Sequence, residues 1–237
     1  MIRKSEGIVL KTRKFRETSL IATILLRTAG RRDFIVKGIR TSKPSGKLAI
    51  FQPMSIVDVV YYDKPNRDLL LLTEAHPAVI LKTAQSHPGK LALAIPALEL
   101  YDISVKEEEI NIPLYEFLRN FLLTLDSSDD KWIHHFLHFA VHLTTLLGFQ
   151  PHDDAGREGK PVYFDLNSGT IYDSAKGNDS HRLILDLLRC DSAECRNLIF
   201  TNEAKKAAIL HLLDYYRLHV EAFRAPGSIA VFGEVFA

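Results

Sequence analysis

Roughly the first 75 residues alternate between short apolar runs and polar turns. The runs are rich in branched and aromatic residues and are bounded by Gly, Pro, Asn or Asp, a pattern typical of β-strands. Five such runs are present, at residues 7–12, 19–26, 33–37, 55–62 and 69–74. Five short strands predict a small closed or nearly closed barrel, and a five-stranded Greek-key barrel of the OB (oligonucleotide/oligosaccharide-binding) type fits both their number and their length.

After His76 and Pro77 the apolar positions recur with a helical period. We expect helices over about 77–86, 88–105, 113–126, 130–148, 180–190 and 202–223. Pro96 should kink or divide the second helix, because proline removes a backbone donor and crowds the preceding turn.

Capping residues mark the ends of two of these helices. Asp129 and Asp130 stand where an N-cap and a first-turn carboxylate would begin the fourth helix, and Gly148 follows its end. Thr201 or Asn202 is expected to cap the last helix.

Residues 149–178 interrupt the helical pattern with a polar, Gly-rich segment. Two short apolar runs flank Asn167-Ser168-Gly169, which predicts a small β-hairpin inserted between helices. We expect this segment to be held by four buried side chains: Val162, Phe164, Ile171 and Tyr172.

Charge is distributed unevenly, although the formal net charge is only +1. Residues 1–82 carry 16 Lys and Arg against 7 Asp and Glu, a net of +9, and the remaining 155 residues carry 14 against 22, a net of −8. Such an asymmetry predicts two domains with different functions. The predicted fold is α+β multidomain, with an OB-type DNA-binding barrel over 1–80 and a mainly α-helical domain over 81–237 that contains the hairpin.

The barrel contains a cluster of basic residues with few acids among them. Between Lys11 and Lys47 there are eleven Lys and Arg but only two acids, Glu17 and Asp33. An OB barrel binds single strands on the face of strands 2 and 3 and on the flanking loops, so these cations are candidate phosphate contacts. The candidates are Lys11, Arg13, Lys14, Arg16, Arg31, Arg32, Lys37, Arg40, Lys43 and Lys47.

A solvated basic surface is the alternative interpretation of this cluster. Aromatic residues that could stack on bases are few nearby, namely Phe15, Phe34 and Phe51, and any of them could belong to the core. We therefore expect contact mainly with the DNA backbone, tolerant of sequence.

Catalytic and metal-binding signatures are sparse. Four histidines of the fourth helix lie opposite its apolar stripe, so they are exposed or packed against another element, and their own face of the helix offers no Asp or Glu to complete a metal site. These are His134, His135, His138 and His142. Cys190 and Cys195 have acidic neighbours that disfavour a thiolate, and we interpret both as structural. Neither a nucleophile elbow nor a phosphate-binding loop motif is present, so we expect no enzyme activity and no cofactor.

Composition excludes several classes of protein. With 46% hydrophobic and 25% charged residues the chain is neither disordered nor collagen-like, and two cysteines cannot form a disulfide framework. No apolar stretch reaches the length of a membrane helix, and Met1 leads directly into a strand-like run rather than a signal region. We expect a cytoplasmic protein.

Several short motifs resemble one bacterial family. The first are Gly7-Ile8-Val9-Leu10-Lys11-Thr12-Arg13, Arg16-Glu17-Thr18-Ser19-Leu20-Ile21, Gly30-Arg31, Val36-Lys37-Gly38-Ile39-Arg40 and Phe51-Gln52-Pro53. Further along are Leu72-Thr73-Glu74-Ala75, Leu146-Leu147-Gly148-Phe149-Gln150-Pro151 and Tyr215-Tyr216-Arg217-Leu218-His219. In this order and at these distances, over nearly the whole chain, they resemble the RecO family of recombination mediators.

The resemblance implies a role rather than a reaction. RecO-like proteins have an N-terminal OB domain and a helical C-terminal domain, and they bind and anneal DNA strands in the nucleoid. Their implied partners are single- and double-stranded DNA, RecR and the acidic tail of single-stranded-DNA-binding protein, with which they help load the RecA recombinase onto coated single strands.

One feature departs from the family. Many relatives carry a four-cysteine zinc site just after the Leu-Leu-Gly-aromatic motif, whereas residues 152–173 contain no cysteine. The resemblance therefore implies a mediator without the zinc site. Two other functions remain open: a general single-stranded nucleic-acid-binding OB adaptor without a recombination role, and a helical hydrolase with a basic accessory barrel.

Overall fold

The computed structural model describes residues 1–39, 47–63, 67–105, 109–156 and 159–231. The strands are β1 (Ile2–Phe15), β2 (Ser19–Leu26), β3 (Gly30–Val36), β4 (Ile56–Tyr62), β5 (Leu69–Val79), β6 (His152–Asp154), β7 (Val162–Asp165) and β8 (Thr170–Asp173). The helices are α1 (Lys47–Ile50), α2 (Pro88–Ser104), α3 (Ile112–Ser127), α4 (Trp132–Leu146), α5 (Asp179–Arg189) and α6 (Asn202–His219), with short 3₁₀ segments at Cys195–Asn197 and Gly227–Val231. The chain forms two compact units, which we call the barrel unit (residues 1–86 and 106–126) and the helical unit (residues 87–105 and 127–237).

The barrel unit contains a closed five-stranded barrel in the order β1-β2-β3-β5-β4, with β4 pairing back to β1. Every pair is antiparallel except β3 with β5. Apolar side chains alternate along the strands and fill the interior, where Phe34 and Tyr61 meet edge to face with ring centroids 5.2 Å apart. The predicted five-stranded barrel and the α+β fold are confirmed.

Helix α3 belongs, up to Asp126, to the barrel unit. Glu6 of β1 accepts hydrogen bonds from the Tyr115 hydroxyl at 2.8 Å and from Arg119 Nε at 3.0 Å. Arg27, which follows β2, donates through Nε to Glu116 at 2.7 Å. These bonds place a polar seam between the barrel and a helix that follows the barrel and α2 along the chain.

The helix predicted over 77–86 is wrong. β5 continues to Val79, which pairs with Ile56, and the next residues form turns. The carboxylate of Asp126 accepts hydrogen bonds from the backbone N–H groups of Lys82 (3.0 Å), Thr83 (2.7 Å) and Ala84 (2.8 Å). A distant side chain thus satisfies donors that a helix would have used, and local periodicity does not reveal it.

The remaining helices were predicted within a few residues of their ends. Pro96 lies inside one continuous α2 and does not divide it. The predicted Asp129–Asp130 cap of α4 is wrong, since Lys131 is the N-cap residue, in the left-handed region with φ 51°, and it makes no side-chain capping bond. The Thr201 cap of α6 is confirmed by its hydroxyl, which accepts from the Ala204 N–H at 3.1 Å.

The predicted hairpin is confirmed as β7 and β8, and β6 adds a third, parallel strand beside β8. Val162, Phe164 and Ile171 are buried, as expected. The prediction for Tyr172 is wrong: it is 36% exposed, because it lies on the face of β8 opposite to Ile171. Among the described helices, none is long and apolar enough to span a membrane.

Candidate nucleic-acid interface

A β-bulge in β1 decides which basic side chains point outward. Up to Val9 the odd-numbered residues of β1 face the barrel interior, but Leu10 has no counterpart in the β1–β2 ladder. The extra residue shifts the alternation by one, so Lys11 and Arg13, which would otherwise point inward, lie on the outside. Both are exposed.

Arg31 lies on the same side of the sheet. Lys11 pairs with Thr23 of β2, and Thr23 pairs with Asp33 of β3. Arg31 is two residues before Asp33 and therefore shares its outward direction. Because neighbouring strands are roughly 4.8 Å apart, β1 and β3 are separated by roughly 10 Å. We call Lys11, Arg13 and Arg31 the outer basic face.

One carboxylate lies within this face. Asp33 accepts a 2.6 Å hydrogen bond from the Thr23 hydroxyl, and its other oxygen is 3.7 Å from Arg13 Nη2. The Arg13 side chain is 70% exposed, and an ion pair this long and this exposed holds it only weakly. Arg13 can therefore turn to a phosphate at little cost.

Three more of the predicted side chains are at the end of the barrel where the β1–β2 turn meets the end of β3: Lys14, Arg16 and Lys37, all exposed. The backbone N–H of Ile39 donates to the carbonyl of Thr18 at 3.0 Å and joins the two segments. Gly38, with φ +66°, supplies the left-handed turn that this junction needs. The Arg16 guanidinium lies 5.3 Å from the centre of the Phe15 ring. We call Lys14, Arg16 and Lys37 the basic end.

Arg32 does not belong to either group. It pairs with the core residue Ile24, so it points toward the interior at the opposite end of the barrel. There it lines a cavity of about 710 Å³ together with Arg3 and Tyr61. Its Nη1 donates to the carbonyl of Arg31 at 2.8 Å. The ten predicted residues are therefore not one surface.

The last three predicted contacts fall partly outside the described residues. Arg40 and Lys43 lie beyond the described ranges, and Lys47 begins α1 while its side chain is not among those described. Their contribution to DNA binding stays a prediction.

The aromatic residues are arranged differently from the expectation. Phe34 and Phe51 belong to the core, with 0% and 4% exposure, and Phe15 is half-buried. The aromatic side chain that sequence reasoning missed is Tyr62, which is 42% exposed. Its neighbour Tyr61 faces the interior, so the alternation along β4 already implied that Tyr62 faces outward.

The four histidines of α4 pack inside the helical unit. His134 and His135 are 2% and 5% exposed, while His138 Nε2 lies 3.3 Å from the Cys190 carbonyl and His142 Nε2 3.0 Å from the Leu187 carbonyl. Burial lowers the pKa of His134 and of His138 to about 4. Within the described ranges there is no group of three or more His, Cys, Asp or Glu placed to hold a metal.

Residues 152–173, which the resemblance relates to the zinc-binding segment of other family members, contain two acidic side chains that already have partners. The two oxygens of Asp153 accept hydrogen bonds from Arg189 at 2.7 and 2.9 Å. Asp165 accepts from the backbone N–H of Asn167 at 3.0 Å, inside the β7–β8 turn. These carboxylates are already engaged, and a closed zinc site needs four ligands in a tetrahedron.

Both cysteines are held in the thiol form. Burial raises the pKa of Cys190 to about 11 and that of Cys195 to about 12, and nearby Asp191 adds to both shifts. Cys195 is fully buried, and its sulfur lies 3.8 Å from His135 Nδ1. A thiol with so high a pKa is a poor nucleophile near neutral pH.

Comparisons with known proteins agree with this architecture. The family model described as "Recombination protein O N terminal" matches residues 1–80, and the one described as "Recombination protein O C terminal" matches residues 85–159. The chain is 29% identical to the DNA repair protein RecO of Bacteroides fragilis over 244 residues and to that of Christiangramia forsetii over 243, each alignment covering 100% of both chains. It is 32% identical to the protein of the same description from Chloroherpeton thalassium over 151 residues, which are 63% of this chain and 58% of the relative. This chain belongs to the RecO family of DNA repair proteins.

Proposed function

We propose that this protein is a non-catalytic recombination mediator that binds and anneals DNA strands. In this proposal the barrel binds the sugar–phosphate backbone, and the protein helps load the recombinase onto single strands coated by single-stranded-DNA-binding protein. The observation that carries the proposal is the outer basic face, which exists because the bulge at Leu10 turns Lys11 and Arg13 outward beside Arg31.

Contacts with phosphates account for the proposed binding of DNA by the barrel. Each Lys or Arg that neutralises a phosphate releases condensed counterions, and this gain does not depend on base sequence. A mediator that handles arbitrary sequences needs this kind of contact. The outer basic face and the basic end together offer six cations that fit it: Lys11, Arg13, Arg31, Lys14, Arg16 and Lys37.

Annealing follows from the same chemistry. Two complementary strands repel each other through their phosphates, and bound cations reduce this repulsion without any covalent step. We propose that the protein acts by binding alone, in association with the nucleoid, and that it needs no cofactor. The boundary predicted near residue 80 between a DNA-binding domain and a helical domain stays a prediction.

We further propose two protein partners, RecR and the acidic tail of single-stranded-DNA-binding protein. Residues 83–237 carry a net charge of −8, which disfavours broad contact with DNA. Lys205 lies close enough to Lys131 for the two charges to repel, and burial together with that repulsion lowers the pKa of Lys205. An acidic tail would relieve this repulsion. Arg217, another basic residue of α6, is less available to such a tail, because it is paired with Asp214.

A strand-annealing assay with the full chain tests the proposal. Complementary single strands are offered bare and coated by single-stranded-DNA-binding protein, and the rate of duplex formation is measured. We compare the wild type with the triple variant Lys11→Glu, Arg13→Glu, Arg31→Glu. The matched control is Lys82→Glu, Lys160→Glu, Lys176→Glu, which changes the net charge equally at exposed sites elsewhere.

We expect the wild type and the control to anneal both bare and coated strands, and the triple variant to lose at least tenfold in rate. Equal rates for the triple variant and the control would refute the outer basic face as the binding site. Annealing of bare strands only would favour a general nucleic-acid-binding adaptor over a mediator.

A further inference from the structure

A cavity of about 660 Å³ opens where β3 and β5 part. The two strands pair only over Asp33–Ile35 and Leu69–Leu71, whereas β5 continues alongside β4 to Val79. Beyond that short pairing a slot is left between the end of β3 and the middle of β5. Its floor is apolar and consists of Val36, Ile39, Phe51 and Leu72, each of which is at most 9% exposed.

The rim of the cavity differs from its floor. Tyr62 and Leu71, a cross-strand pair, remain 42% and 40% exposed. Lys37 stands at the edge, and the acid at the rim is Glu74. Ile39 in the floor is the residue bonded to the β1–β2 turn, so the cavity adjoins the basic end. An apolar slot, an exposed aromatic ring and a neighbouring group of cations therefore occur together.

We propose that this cavity receives an unpaired base of single-stranded DNA, which stacks on Tyr62 while its phosphate lies at Lys37. The inference rests on the proposed function, namely that the barrel binds DNA. Pockets that bind small molecules have volumes of about 300–1,000 Å³, a mainly apolar lining and a few polar groups. A base inside a duplex cannot enter the slot, so the cavity favours single strands over duplex.

The cations at this end of the barrel favour a nucleotide over a peptide. Among the residues that the structure describes, Lys14, Arg16 and Lys37 outnumber the acids at the same end, Glu17 and Glu74. An apolar peptide would need no such charge, whereas a nucleotide that buries its base must also place a phosphate next to the cavity. Stacking on an aromatic ring with a cation nearby is how sequence-tolerant proteins bind single strands.

Two strands with the same number of phosphates test this inference with the full chain. One is a fluorescein-labelled oligothymidylate, and the other is an abasic strand of equal length with the same label. We expect the wild type to bind the oligothymidylate about tenfold more tightly, in line with the stacking of one base. Tyr62→Ala should remove most of that preference without changing the salt dependence, and Tyr62→Phe should retain it. Tyr172→Ala, at a tyrosine of similar exposure in the helical unit, is the matched control and should change nothing.

The outcomes separate this inference from the proposed function. If both strands bind equally, and both lose affinity when the outer basic face is reversed, the cavity does not hold a base but the proposed function stands. If neither strand binds, both proposals fail. If Tyr62→Ala alters the sedimentation coefficient but not the preference for bases, the cavity is an interface between copies and the inference is overturned. Thermal melting of each variant confirms that it is folded.

Discussion

In the barrel unit several basic side chains stand on an outer surface, whereas in the helical unit several histidines and a cysteine are packed inside. Lys11 and Arg13 are exposed on β1. His134 and His181 are 2% and 5% exposed, and Cys195 is fully buried. The barrel unit presents permanent charge to solvent, whereas burial in the helical unit lowers the pKa of His134 and of His181 and so favours their neutral form.

The difference shows that the surroundings of a polar side chain decide whether it reaches solvent or only packs. An imidazole on an amphipathic helix looks like a ligand when only the helix is considered, but on α4 it supports contacts with the residues at the end of α5. A lysine or arginine on a strand acts through its charge only if the strand directs it outward. In this protein a single bulge residue sets that direction.

The largest expected effect is a loss of stability of the helical unit in mild acid. Burial lowers the pKa of His134 and of His181 to about 4. The charges of Lys205 and Lys131 lower the pKa of His134 further, and His211 lowers that of His181 further. In the unfolded chain, by contrast, an imidazole has a pKa near 6.5. As pH falls from 6.5 toward 4, the unfolded chain therefore takes up protons that the folded chain does not. At pH 5 each of these two histidines should cost roughly 2 kcal/mol of unfolding free energy.

The single tryptophan, Trp132, lies at the start of α4 and reports on the helical unit. We expect its fluorescence melting temperature to fall steeply between pH 7 and pH 5. The protection of peptides from β1 to β5 against hydrogen exchange should change less over the same range. An equal loss of this protection in both units would contradict the contrast between them.

A smaller loss of stability is expected when Asp126, which holds the turn after β5, is replaced. Burial alone would raise the pKa of Asp126, but hydrogen bonds from the N–H groups of Ala84, Thr83 and Lys82 lower it below its ordinary value. Asp126→Ala leaves these donors without their acceptor and should cost about 2–3 kcal/mol in chemical denaturation. Asp129→Ala is the matched control, because Asp129 is exposed and is not the cap of α4. If both variants lose equal stability, the Asp126 bonds do not hold the turn.

Removing metal ions with a chelator is expected to leave the stability of the protein unchanged. We propose that Val162, Phe164 and Ile171 hold the segment around β7 and β8 by burial instead of a zinc ion. Protein purified without added metal should contain no stoichiometric zinc, and a chelator should leave its melting temperature unchanged. One zinc per chain, with a melting temperature that falls on chelation, would show that the segment is built around a metal.

Much of the fold could be predicted from the sequence because it rests on local patterns. Alternation and turn residues predicted the five strands, and a hydroxyl before Asn202 predicted the α6 cap. The helix expected at 77–86 failed because its competitor, the carboxylate of Asp126, is distant in sequence. A cap that depends on tertiary contact leaves no trace in the local pattern.

The candidate site could be predicted in composition but not in arrangement. The excess of Lys and Arg is visible in the chain, whereas the bulge at Leu10 appears only when β1 is paired with β2. Without it Arg13 would be assigned to the interior. Arg32 would be grouped with Arg31 from the sequence alone, because the two are adjacent, but it points to the other side of the sheet.

The dependence of DNA affinity on salt tests the central claim most directly. The full chain is titrated with a labelled single strand at several salt concentrations, for the wild type and for the triple variant Lys11→Glu, Arg13→Glu, Arg31→Glu. Each lost phosphate contact on a single strand should reduce the log–log slope by about 0.7, so the triple variant should have a slope shallower by about 2 and an affinity at least a hundredfold lower at low salt. A folded triple variant with the slope and affinity of the wild type would contradict the assignment of the outer basic face as the DNA-binding surface.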